Sequence, residues 1–142
     1  MRSINLEACE VMKKILEGLS DRPGSNKKID NADGVFMYLA VELVGNVPNT
    51  GTGQLISLAH YYEQNGDLMR DPEMIFWEGA DAKGNTRYYP SYYLQDAVGV
   101  EQNSIIFDFE KLKCKGFYRT MQKDQALFAN TWMKNIEQQQ GL

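Results

Sequence analysis

Residues 54–78 read QLISLAHYYEQNGDLMRDPEMIFWE, and two strands with the turn between them can be read from this stretch. At a period of two, Ile56, Leu58, His60 and Tyr62 share one face of the first run, Gln54 to Tyr62. Leu55, Ser57, Ala59 and Tyr61 share the other face. Asn65-Gly66 can adopt the positive backbone angles of a tight turn, which glycine takes at no steric cost. Asp71 precedes Pro72 and is therefore held extended, so the next strand is expected from Glu73 to Glu78. In this reading Gly66-Asp67 makes the turn, Asp67 and Asp71 accept nearby backbone N–H groups, and Arg70 pairs with a carboxylate.

The neighbouring segments extend the pattern. Val35 to Val44 is almost continuously apolar and β-branched, which predicts a strand buried on both faces. Gly79 to Asn85, with two glycines, is a hairpin loop leading to a strand over Thr86–Leu94, where Pro90 calls for an edge or a bulge. A fifth strand is expected over Glu101–Asp108, and the polar run Ser25–Gly34 is a loop. Helical stripes close both ends. Ala8, Met12, Ile15 and Leu19 recur at helical spacing over Asn5–Leu19, as do Met121, Phe128, Trp132 and Ile136 over Thr120–Gln138. Two apolar stripes need an apolar sheet face. The expectation is one α+β domain over residues 1–142: an N-terminal helix, an antiparallel sheet of about five strands, and a C-terminal helix, with both helices on one sheet face.

Composition limits the function classes. The 142 residues carry a net charge of −4 with 24% charged and 43% hydrophobic residues, an ordinary globular balance. Residues 1–29 are net +2, residues 30–110 net −10 and residues 111–142 net +4. The acidic middle repels phosphate backbones, so nucleic acid is an unfavoured partner, and the basic ends are expected to help the terminal helices dock on an acidic sheet. Helix–strands–helix order alone also suggests double-stranded RNA binding, but the basic cluster this needs is weak. Cys9 and Cys114 form no C-x-x-C pair, which argues against structural zinc and suits a reducing compartment. No run is long enough to span a bilayer, and Glu7, Glu10 and Glu17 interrupt the first helix, so no signal peptide or membrane anchor is expected. A cytoplasmic location follows as the default.

Polar side chains concentrate from His60 to Met74, in the order His-Tyr-Tyr-Glu-Gln-Asn-Gly-Asp-Leu-Met-Arg-Asp-Pro-Glu-Met. This block resembles the signature of a family of small bacterial proteins of unknown function encoded on plasmids, phages and conjugative elements. Tyr92 to Gln102, with Asp96, Gly99 and Glu101-Gln102, is similar to that family's second block. The resemblance spans residues 54–103 and implies a mobile-element setting, with no activity or cofactor to carry over.

Two chemistries can be read from these residues. His60, Asp67, Asp71 and Glu73 are ligand types for a divalent metal that would activate water, as in a hydrolase or phosphodiesterase. Against this, there is no second histidine and no metal-binding spacing, and turn chemistry accounts for most of the same residues. No cofactor is expected. The other reading is a non-enzymatic interaction module. Tyr61-Tyr62, Phe76-Trp77, Tyr88-Tyr89 and Tyr92-Tyr93 put one ring on each sheet face, more than two helices can hide. Exposed tyrosines provide contact area with a hydrogen-bonding tip, as at protein interfaces. The candidate binding residues are His60, Tyr62, Asp67, Arg70, Asp71, Tyr89, Tyr93, Asp96 and Glu101, facing a protein partner or a second copy.

Overall fold

Asn5 starts the first helix. Its side chain accepts the Ala8 backbone N–H at 2.8 Å and caps α1, Leu6–Leu16. In the computed structural model, which describes all 142 residues, eight strands and a second helix follow. They are β1 (Asn26–Ile29), β2 (Leu39–Asn46), β3 (Gln54–Gln64), β4 (Asp67–Ala80), β5 (Thr86–Gln95), β6 (Val100–Asn103), β7 (Ile105–Asp108), β8 (Lys113–Phe117) and α2 (Arg119–Gln140). Strands β1 to β6 form one sheet in sequence order, every pair antiparallel, and β7 and β8 form a separate hairpin.

Both helices lie on the same sheet face. Ile4, Val11, Met12 and Ile15 from the α1 region meet Trp132, Met133 and Ile136 of α2 over Leu39, Ile56, Leu58, Met74 and Phe76. Burial at this scale, about 25 cal/mol per Å² of apolar surface, is the main force holding the domain together. The α+β reading with both helices on one face therefore stands. The docking charges are arranged differently from the sequence expectation. Lys14 pairs with Glu137 at 3.0 Å and Lys134 with Glu7 at 3.7 Å, so the helices pair with each other, not with the sheet.

Several boundaries are corrected. Val35, Phe36 and Met37 are exposed and precede β2, which alternates buried and exposed positions and is not covered on both faces. The polar run after α1 is not all loop, because Asn26–Ile29 pairs with Leu39–Glu42 and forms the sheet edge. Strand β4 begins at Asp67, six residues before the expected Glu73, because it pairs with β3 from Gln64↔Asp67 onward. The expected fifth strand is two: β6 stays in the main sheet and β7 leaves it, with Ser104 as the break. Ser104 is fully buried there, and its hydroxyl donates to the Pro90 carbonyl at 2.9 Å.

Pro90 stands in an interior strand, at an irregularity. The pairs Ile75↔Tyr92 and Phe76↔Pro90 leave Ser91 as the extra residue of a bulge. The loop after β2 folds back onto β4. Gly53 has φ +72°, and a Cβ there would collide with the Val47 carbonyl, so only glycine fits the close approach. That loop brings Val47 over Trp77, whose indole N–H donates to the Val47 carbonyl at 2.9 Å.

Candidate functional site

Alternation along the sheet sends Phe76 and Tyr88 into the helix-side core, and Trp77 and Tyr89 to the opposite face. That face is not bare. The β7–β8 hairpin folds across it as a flap, joining Ile105 to Val47, Leu55 and Trp77 in a small buried cluster. Phe107 meets Trp77 edge to face, with ring centroids 5.1 Å apart.

The flap covers only part of the face. Between it and the sheet runs an apolar groove of about 290 Å³, near the lower end of ligand-pocket sizes. Eight of its ten lining residues are hydrophobic, among them Val44, Leu55, Ile75, Tyr92, Ile106 and Phe107. Val44 also borders a second recess of about 170 Å³ with Glu42, Ser57, Tyr61 and Glu73 on its walls. One face thus carries a trough that is apolar under the flap and polar beyond it.

Arg70 organises the polar end. Its Nε donates to Asp96 Oδ2 at 3.1 Å and Nη2 to Asp96 Oδ1 at 3.3 Å, a two-toothed fork, while its backbone N–H reaches Oδ2 at 2.8 Å. Nη1 donates to Glu73 Oε1 at 3.3 Å, and the Ser57 hydroxyl donates to Glu73 Oε2 at 2.6 Å. The hydrogen bonds from the Arg70 side chain and backbone hold the Asp96 carboxyl below its ordinary range. Tyr92 donates its hydroxyl to Glu101 Oε2 at 2.5 Å. Burial first, and that bond second, push its phenol well above the ordinary value, so it stays a donor.

The predicted residues divide between the two faces. Arg70, Asp96, Glu101 and Tyr89 belong to the flap side, with Tyr89 packed against the Trp77 cluster. His60 is on the helix side and is only 6% exposed, more buried than a half-covered strand position would be. Its Nδ1 accepts the Trp132 indole N–H at 3.3 Å, and its Nε2 has no partner. Burial lowers its pKa below the ordinary 6.5, opposed by the nearby Asp71 carboxylate. Tyr93 packs edge to face on Phe128 and donates to Gln95 Oε1 at 2.9 Å. Tyr62 makes a long 3.4 Å bond to Gln64 near the hairpin end.

Asn65 and Gly66 form the turn with φ +53° and +84°. Asp67 pairs through its backbone with Gln64, and the hydrogen bonds expected from the Asp67 and Asp71 carboxylates are not formed, because both lie within strand β4 and not in a loop. Asp71 and Pro72 together oppose His60, in a bulge between Tyr61↔Arg70 and Ala59↔Glu73. No group of three or more His, Cys, Asp or Glu side chains converges where an ion could be held. His60 and Asp71 lie near one another, whereas Glu73 is engaged by Ser57 and Arg70 on the other face.

The groove itself was not foreseen. Its only sequence signal is the alternation of Ile105, Phe107 and Phe109, which also fits a strand of the main sheet. Ser57, on the opposite strand face from His60, matters as a donor to Glu73.

No curated protein and no solved structure matches the chain. A family model described as a domain of unknown function, DUF6908, matches residues 10–142, from within α1 through the sheet and flap to the end of α2. The chain belongs to that family.

Proposed function

We propose that the protein is a non-enzymatic binding module whose contact surface is the flap-side trough, occupied by a protein partner or a second copy of the chain. The supporting observation is a preformed apolar groove that continues through Val44 into a recess walled by Glu42, Ser57, Tyr61 and Glu73. Apolar centres with a polar, hydrogen-bonding margin are the anatomy of protein interfaces. Arg70 is neutralised by Asp96 and Glu73, which fixes the polar wall in place before any partner arrives. A cytoplasmic setting and a role on a plasmid, phage or conjugative element belong to this proposal, on the strength of the His60–Met74 signature.

Site-specific photo-crosslinking tests it. A photoreactive residue at Val44, which is exposed beside the groove, should crosslink to a defined protein or to the chain itself in the producing cell. The same probe at the exposed Leu127 of α2 should not. Equal crosslinking from both positions, or none from Val44, would sink the proposal.

A further inference from the structure

The flap and the start of α2 carry a second surface, which shares Phe109 with the rim of the apolar groove. From Phe109 to Lys123 the chain holds Lys111, Lys113, Lys115, Arg119 and Lys123, and none of them makes an ion pair. The acids in and beside this segment are Asp108, Glu110 and Asp124. Asp108 is already occupied, accepting the Glu110 and Lys111 backbone N–H groups at 3.1 and 3.0 Å. Among these cations stand large apolar side chains exposed to solvent: Phe109 at 64%, Leu112 at 50% and Tyr118 at 57%. Phe117 walls a recess of about 360 Å³ with Arg2, Arg119, Gln122 and Lys123. Gln122 is its fully buried floor, held by the Arg2 backbone N–H at 2.8 Å and the Pro90 carbonyl at 3.0 Å.

These features form a track. Strand β8 runs from the Phe109/Leu112 end to the Phe117/Tyr118 end, about 13 Å at 3.3 Å per residue, with Lys113 and Lys115 exposed between. Cys114 turns the other way and packs on the Trp77 cluster, so the flap keeps its inner side for the fold. Rings at both ends of a line of unpaired cations match an extended chain with a charged backbone and flat, stackable groups. A membrane surface would be met better by one protruding apolar point than by two ends separated by lysines.

We infer that the exposed margin of the flap along β8, with the Arg2–Arg119–Lys123 recess, binds single-stranded nucleic acid by stacking bases on the solvent-exposed parts of Phe109, Phe117 and Tyr118 and pairing phosphates with the lysines and arginines. The acidic excess that disfavours duplexes lies in residues 30–110, which include none of these cations. A rigid duplex would have to approach that acidic body, whereas a single strand can follow the flap alone.

The test is fluorescence anisotropy of the full chain with a labelled oligothymidylate of about 12 nucleotides, within the usual site size. Binding should weaken steeply with salt, with a slope of roughly −0.7 per phosphate contact, and a duplex of equal length should bind at least about tenfold more weakly. Tyr118→Ala and Phe109→Ala should each weaken binding about fivefold or more, while Tyr118→Phe retains it. Lys113→Glu with Lys115→Glu should reduce the salt slope by about one to two contacts' worth. No binding at low salt overturns the inference. So does binding that ignores the ring substitutions and is matched by heparin, or binding to phosphatidylserine vesicles and not to the oligonucleotide. Circular-dichroism melting of each variant identifies any that fails to fold, and the phenylalanine variant then decides whether the ring itself is read.

Discussion

The two faces of the main sheet carry apolar side chains by the same alternation, yet they are covered to very different depths. On the helix side, Phe76, Met74, Ile56 and Leu58 are completely excluded from solvent beneath α1 and the 22-residue α2. On the flap side the buried cluster is Val47, Leu55, Trp77 and Ile105, and the groove remains open beside it. A long amphipathic helix lays a continuous stripe on a sheet, but strands of four and five residues cannot. One face is therefore committed to stability, and the other leaves apolar surface open in the groove.

Substituting matched aromatics should expose this difference most directly. Phe76→Ala empties a fully buried site and should cost about 3–5 kcal/mol by chemical denaturation. Phe107→Ala removes a half-buried ring from the flap and should cost about 1–2 kcal/mol, because less area is returned to water. Equal losses would mean that the flap is as much a part of the core as the helices are.

A titration sharpens the same contrast. His60 lies on the committed face, where burial depresses its pKa below 6.5. A histidine depressed in the fold binds its proton more readily when unfolded. Its contribution to stability is therefore complete above about pH 6.5 and is lost as pH falls from there through the folded value. Asp71 opposes the shift without reversing it. Melting temperature should decline below pH 6.5 in the wild type, and the part due to this group should vanish in His60→Gln. An unchanged profile in the variant would show that acid sensitivity arises elsewhere.

How much of this was legible in the sequence follows from where each signal comes from. Periodicity identified α1, α2, β3 and the single-face packing of the helices, because burial against a sheet writes a pattern into every third or second residue. The Asn65-Gly66 turn and the Pro90 bulge were legible because backbone angle restricts residue choice. Strand β1 was missed because Asn26-Lys27-Lys28-Ile29 has only one buried residue, and an edge strand needs little apolar content. The flap was missed because Ser104 is an ordinary strand residue until its bond to Pro90 shows the chain changing sheets. Of the polar side chains along the trough, Arg70 was singled out as a carboxylate partner, Asp96 and Glu101 through the second signature block, and Glu73 only in the metal reading. The groove was not found, because it is made by Val44, Ile75 and Phe107, far apart in sequence and individually unremarkable as apolar strand positions.

The smallest expected effect separates the carboxylate environments of the two signature blocks. Asp96 accepts three hydrogen bonds from Arg70, so Asp96→Ala strips the guanidinium of its fork and frees the polar wall of the trough. The melting temperature should fall measurably, and the loss should be present at pH 7 and fade as pH is lowered. The sign follows from the carboxyl's depressed pKa: its contribution is present above the ordinary value of 3.8 and is lost as pH drops through the folded one. Asp67 stands two residues beyond the turn glycine's neighbour Asn65, exposed, with its side chain making no hydrogen bond and its backbone already paired with Gln64. Asp67→Ala should therefore stay within about 0.5 kcal/mol of wild type, as a surface substitution away from any such feature does. Added magnesium, manganese or zinc should not raise the melting temperature of either protein. A clear rise with one ion, abolished by Asp67→Ala, would mean that the hairpin end closes on a metal and that the carboxylates of β4 serve a site instead of a surface.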